Sequence, residues 1–258
     1  MAVFGIDLST WQSNYPYAKA TKEGVKFAIL RAGFWTTKDN QFETHYTNAR
    51  KQKWDIGAYW YSYATTEAEA KTEAKAFLKT IKGKQFEYPV YVDIEDKSLS
   101  KLSKTQIDNN IKAFGKVIED GGYYFGVYTN KSWYTSKLNG KTLNKKYDWW
   151  IAQWSTNKPT GVDYGLWQFG GSTNYIRSPK IGGVVTDQNY AYYDYPSIMK
   201  ENGLNGFTKE IVEQPSEPQD DTQPIETPEP IIEKPIEEHK ENILVKIIKA
   251  IISLIFKK

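Results

Sequence analysis

Residues 89–95 read PVYVDIE, a short run of branched and aromatic side chains that ends in two carboxylates. Such a run has the composition of a buried strand. Asp93 and Glu95 stand two apart, so an extended chain directs both to one face. Charge at the end of a buried strand is costly unless it is paired or functional. The design recurs in both directions along the chain. VFGID at 3–7 ends in Asp7, and GGVVTD at 182–187 ends in Asp187, two residues before Asn189. Similar runs at 27–30, 56–63, 123–128, 149–154 and 165–169 bring the expected strands to eight, the last at 182–185.

Helical patterns separate the earlier runs. Thr66 and Glu69 form a capping-box signature, followed by Ala70, Ala74, Phe77, Leu78 and Ile81 on one face. Ser103 and Gln106 repeat it ahead of Ile107, Ile111, Phe114 and Ile118, and Gly121 is the stop signal. Phe42, Tyr46 and Ala49 suggest another helix. Strands alternating with helices imply a parallel sheet, and eight of them imply a closed (β/α)8-type barrel. The matched positions Asp7, Arg31, Trp60 and Asp93 are separated by 24, 29 and 33 residues, which suits βα units. Ile151 and Trp167 are only 16 apart, and Trp167 and Asp187 only 20, too short for full crossover helices. The expected fold is therefore α/β, a truncated (β/α)8-type barrel with its last helices missing. An open doubly wound sheet is the alternative, but no Gly-rich phosphate loop follows the first strand.

Composition narrows the chemistry. The 258 residues include no Cys and only two His, His45 and His239. Disulfides, thiol nucleophiles, Cys-ligated zinc and multi-His metal sites are excluded. The net charge of +3 averages three unlike segments. Residues 1–207 carry 27 basic and 20 acidic side chains and all nine Trp and nineteen Tyr. Residues 208–242 carry 3 basic and 11 acidic side chains with six Pro, the composition of an extended acidic linker that cannot bury a core. Residues 243–258 carry four Lys and no acid, ILVKIIKAIISLIF at 243–256 is nearly all apolar, and Lys246, Lys249, Ser253 and Lys257 fall on one narrow polar stripe. A basic amphipathic helix is expected there, too short to span a bilayer and suited to an anionic membrane surface, with self-association or docking on the barrel as the rival. The expected domains are thus 1–207, 208–242 and 243–258. MAVFGID has neither a basic n-region nor an apolar h-region, so no signal peptide is expected. The matching expectation is synthesis in the cytoplasm and action after release.

The active face of such a barrel is at the C-terminal ends of its strands, where Asp7, Asp93, Glu95 and Asp187 are expected to meet. Mutual repulsion and partial burial raise the pKa of at least one of four such acids. That supplies a proton donor beside anionic neighbours, the requirement of glycoside hydrolysis. Carboxylates also bind Mg²⁺ or Ca²⁺, but the phosphate-handling loops that often accompany Mg²⁺ are missing. No metal, cofactor or nucleic-acid partner is expected.

The motifs GIDLS at 5–9, GAYWYSY at 57–63, DIE at 93–95, VYTN at 127–130, WIAQW at 150–154, LWQFG at 166–170 and VTDQNYAYYD at 185–194 together resemble the family 25 glycoside hydrolases, lysozyme-type N-acetylmuramidases common as phage endolysins and bacterial autolysins. The resemblance covers about 3–198. It implies cleavage of the β-1,4 bond between N-acetylmuramic acid and N-acetylglucosamine in peptidoglycan, with Glu95 as general acid, Asp93 as the second carboxylate of the pair, and Asp7 and Asp187 completing the cluster. Trp60 departs from the pattern, since many relatives carry His there. Tyr61, Tyr128, Trp154 and Trp167 are candidate sugar platforms. Gln168 and Asn189 are candidate hydrogen-bonding partners of a sugar, and Arg31 either binds a wall carboxylate or pairs with Asp7. The competing reading from another class is a catalytically silent carbohydrate- or cell-wall-binding protein on the same barrel.

Overall fold

The computed structural model describes residues 2–209. The acidic linker expected from 208 lies outside the described residues apart from Thr208 and Lys209, and the helix expected at 243–258 lies wholly outside them. Eight strands form the barrel: β1 Val3–Leu8, β2 Phe27–Phe34, β3 Asp55–Tyr61, β4 Val90–Asp93, β5 Phe125–Asn130, β6 Asp148–Ala152, β7 Leu166–Gly170 and β8 Asp187–Ala191. β1 pairs with β2 on one side and β8 on the other, so the sheet closes and its main edges disappear.

Seven strands run parallel. β8 runs antiparallel to both β7 and β1. The last strand is expected from sequence at 182–185. Instead, Val184–Val185 forms a small hairpin with Lys180–Ile181, outside the barrel sheet. The true strand, DQNYA, is polar at Gln188 and Asn189, which are nonetheless buried. Asn189 is hydrogen-bonded at both ends, donating to Asp7 and accepting from Trp150, while Gln188 donates to the Ser178 carbonyl and leaves its own carbonyl oxygen buried without a partner among the described residues.

The helices are α1 Tyr17–Lys22, α2 Phe42–Lys51, α3 Glu67–Ile81, α4 Lys104–Asp120, α5 Lys131–Ser136, α6 Gly140–Asn144 and α7 Tyr195–Glu201. Both predicted capping boxes form. Thr66 and Ser103 each accept from the third helical amide while Glu69 and Gln106 bond back. The long helices α3 and α4 cover the middle of the barrel. No helix joins β6 to β7 or β7 to β8, as the short gaps required.

Strand alternation sorts the core into two layers. Ala28, Leu30, Val90, Val92, Val127, Ile151 and Trp167 face outward to the helices, in one continuous cluster with Phe77 and Phe114. Phe27, Ile29, Tyr91, Tyr128, Trp150 and Leu166 fill the interior. Full burial of a side chain of this size contributes about 1.5–3 kcal/mol. Gly126 makes room inside, since a Cβ there would stand 2.4 Å from the Tyr91 ring. Helix α7 stoppers the end of the barrel away from the strand C-termini. Its Tyr195 and Met199 join the interior cluster, and the Tyr195 hydroxyl donates to Asp148 at 2.7 Å.

Candidate active site

The parity that turns Tyr91 inward also turns Asp93 inward, and Asp7 follows the same rule on β1. Asp187 reaches them by a different route. It begins rather than ends its strand, and because β8 is antiparallel its first residue lies at the face where β1 finishes, in register with Asp7. Glu95 follows β4 by two residues. All four carboxylates line one cleft of about 190 Å³, together with Arg31, Tyr59 and Tyr61.

Two further hollows continue the cleft. One of about 320 Å³ shares Glu95, Tyr128, Gln168 and Asp187 with it and adds Asn130 and Trp154. The other, of about 410 Å³, shares Trp11, Arg31 and Tyr61 and adds Thr10, Phe34 and Tyr63. The result is a groove across the barrel mouth, acidic at its centre and aromatic at both ends. Trp11 is 80% exposed and Trp154 39%, an arrangement suited to stacking against sugar rings.

Burial is the main influence on every acid in the cleft. It lifts Asp7 to about 6, against the hydrogen bonds from Asn189 and Gln168. It lifts Asp187 to about 8, helped by the charges of Asp7 and Glu95. Asp93 is pushed well above the usual carboxylate range by burial and then by Glu95 and Asp7, with Arg31 opposing. Glu95 is also raised by burial, while a hydrogen bond with Asn130 opposes. Asn130 is fixed for this purpose, because its carbonyl oxygen caps α5 by accepting from the Trp133 amide. At neutral pH the cluster therefore retains protons beside ionised neighbours.

The polar residues expected to touch substrate are engaged inside the protein. Gln168 donates to Asp7 Oδ2 at 3.0 Å, and its carbonyl oxygen accepts from Tyr128 and Trp154. Asn189 donates to the same Oδ2 at 2.9 Å and accepts from the Trp150 indole. These amides orient Asp7. Gly171 completes the support, since a Cβ there would lie 2.0 Å from Asp187 Oδ1 and 2.8 Å from the Trp154 ring.

Tyr61, Tyr128 and Trp154 do line the groove. Trp167 does not. It is buried in the outer layer against Phe169 and donates to the Gln153 carbonyl, because Gln168 takes the inward position. Trp60, which departs from the family pattern, also faces outward, packing on Phe77 and donating to the Trp35 carbonyl. Arg31 does not pair with Asp7. Its Nε donates to Asp39 at 2.7 Å, a partner the sequence reading did not name. Also unnamed were Trp11, Tyr59, Trp150 and Asn130. Trp11 directly follows the GIDLS motif by two residues, and Asn130 ends VYTN, so both carried a signal.

Residues 6–177 match the family model described as Glycosyl hydrolases family 25. The chain belongs to this family. It is 26% identical over 175 residues to Escherichia coli YegX, covering 64% of this chain and 62% of that protein. It is 28% identical over 203 residues to Lysozyme M1 of Streptomyces globisporus, covering 72% of this chain and 65% of that one. The family 25 chain thus spans somewhat less than two thirds of the length of these relatives. Its barrel is similar to the bacterial lysozyme from Streptomyces coelicolor, with TM-score 0.64, 25% identity, and coverage of 75% of this chain and 93% of that one.

Proposed function

We propose that this family 25 hydrolase is a muramidase that cuts the β-1,4 bond between N-acetylmuramic acid and N-acetylglucosamine in peptidoglycan. The observation that carries the reading is the cluster of four inward carboxylates, all with raised proton affinity, at the centre of an aromatic-ended groove. Lysozyme M1 and the Streptomyces coelicolor lysozyme support it, as relatives with lysozyme names.

Glu95 serves as general acid and delivers its proton to the glycosidic oxygen as the bond to the anomeric carbon breaks. Asp93 Oδ1 is buried and has no hydrogen-bond partner among the described residues, which leaves it to meet the sugar's acetamido group. Burial raises Asp7 only to about 6, below the value of about 8 for Asp187, and two amide donors suit its ionised form. It is the anion that opposes the developing positive charge on the sugar ring. Asp187 retains its proton at neutral pH and keeps the centre from carrying four negative charges.

Mass analysis of wall digests tests the reading. New reducing-end muramic acid is expected from the native chain, with a loss of about 10²- to 10⁴-fold in Glu95→Gln and no fall in melting temperature. Reducing-end N-acetylglucosamine, cleaved peptide bonds, or full activity in Glu95→Gln would overturn it. The strongly apolar, Lys-bearing sequence at 243–256 supports an anionic membrane surface as a second partner reached after release to the wall. Co-sedimentation with anionic vesicles by the full chain, lost in a 1–207 truncation, is the expected result; equal binding refutes it.

A further inference from the structure

Arg31 is the only Lys or Arg among the described residues that line the three hollows of the groove. It stands where the acidic cleft meets the hollow walled by Trp11, Phe34 and Tyr63. Strand β2 changes register against β3 between Arg31 and Gly33, an irregularity of the kind that re-aims a side chain. The side chain is 13% exposed, and its guanidinium lies 5.5 Å from the centre of the Phe34 ring.

The guanidinium is held from the side. Asp39 Oδ2 accepts from Nε and from the Thr10 amide, while Oδ1 accepts from the Gln41 amide. Asp39 is itself buried, so this is a fixed bracket. A guanidinium has five N–H donors, and the bracket uses the one on Nε. The two terminal nitrogens have no hydrogen-bond partner among the described residues. They form a planar fork of the kind that receives both oxygens of a carboxylate. None of the four cleft acids comes within ion-pairing distance of Arg31.

We infer that Arg31, oriented by Asp39, is a specificity residue that seats a carboxylate borne by the glycan. The inference rests on the muramidase reading for the glycan itself. Elsewhere the groove centre offers an anion no cation, and the ionised Asp7 among the four acids lining it repels one. A sugar carrying a carboxylate is therefore accepted in one direction only, with that group toward the Trp11 side. Peptidoglycan offers two sources of this chemistry: the lactyl carboxylate of a peptide-free muramic acid, and the carboxylates of a stem peptide.

Three substrates separate them: peptidoglycan with intact stem peptides, glycan strands stripped of peptide to expose the lactyl carboxylate, and each after chemical amidation of its carboxylates. Arg31→Gln is expected to raise KM about tenfold or more on one or both native substrates, with kcat within about twofold. No difference from the native chain is expected on the amidated forms. Arg31→Lys, which keeps the charge but not the fork, should recover only part, and Asp39→Asn should reproduce part of the loss. A defect on stripped strands assigns the lactyl group, and one on intact peptidoglycan alone assigns the stem peptide. Equal losses on native and amidated substrates, or an unaltered KM throughout, overturn the inference. Calorimetric binding of soluble stripped glycan to Glu95→Gln, with and without Arg31→Gln, reads the same preference without turnover. Cleavage by the native chain with no preference defeats this inference alone. Neither cleavage nor binding defeats the muramidase reading with it.

Discussion

Replacing Glu73 by Gln should stabilise the folded chain above neutral pH and leave it nearly unchanged in acid. Glu73 lies on the buried face of α3, beneath the loop that carries Tyr63 to the groove rim. Its Oε1 accepts from the Tyr63 amide at 2.9 Å, and its Oε2 is buried without a partner. Burial raises this carboxyl from 4.5 to about 7, with Ser62 and Tyr63 opposing and the charge of Glu69 adding. The folded state thus holds the proton more tightly than the unfolded chain. Its contribution is fully present below 4.5 and is lost as pH rises through about 7. The interval corresponds to about 3 kcal/mol. Gln keeps the acceptor for Tyr63 and cannot ionise. For a fold of this size about 3 kcal/mol corresponds to roughly 6–12 °C in Tm. Thermal unfolding of both chains followed by circular dichroism from pH 4 to pH 9 measures the difference. It should open between pH 5 and pH 8 in favour of Glu73→Gln. A gap that does not change with pH, or one that favours the native chain in alkali, would refute the reasoning.

Three further outcomes follow from the groove. Gly171→Ala should lower wall lysis by about 10²-fold with a smaller effect on melting, because its methyl displaces Asp187 and Trp154; near-native lysis would show that the site tolerates the shift. Asn189→Ala removes one of two amide donors to Asp7, so Asp7 should titrate above about 6, by roughly 1–2 pH units for a hydrogen bond to a charged group. The acidic limb of the lysis profile should move up by the same amount, and an unmoved limb would argue that Asp7 need not ionise. Trp11→Ala should leave the melting temperature unchanged and raise KM severalfold, as expected for an indole that is 80% exposed.

The acids were legible in the sequence because each stands beside an apolar run, where a charge conspicuously breaks the pattern. Asp187 is instructive, since it reaches the site as the first residue of β8 and not as the end of the apolar run before it. Val184 and Val185 carry a strand signature but form a hairpin, while Gln188 and Asn189 conceal a barrel strand whose side-chain amides donate to partners outside it. Trp167, expected as a sugar platform, faces outward for a reason the local sequence does not carry. A strand's composition does not say which parity faces inward, and that is set by register with strands far away in sequence. The Arg31–Asp39 bracket was hidden in the same way, because Asp39 sits in a loop with no local pattern to mark it. The missing helices were visible, because a crossover needs a minimum length of chain whatever its residues.

The reversed eighth strand also decides where the chain leaves the barrel. A parallel β8 would end at the mouth, beside the acids. Running the other way, it delivers the chain to the stoppered end, where α7 and Leu204 close the interior. β1 starts at that same end. Both ends of the described fold therefore sit behind the groove. A barrel so arranged keeps its terminal attachments away from its groove. It can be anchored from behind and swept across a polymeric surface, and its attachment can be lengthened or exchanged without ever crossing the groove.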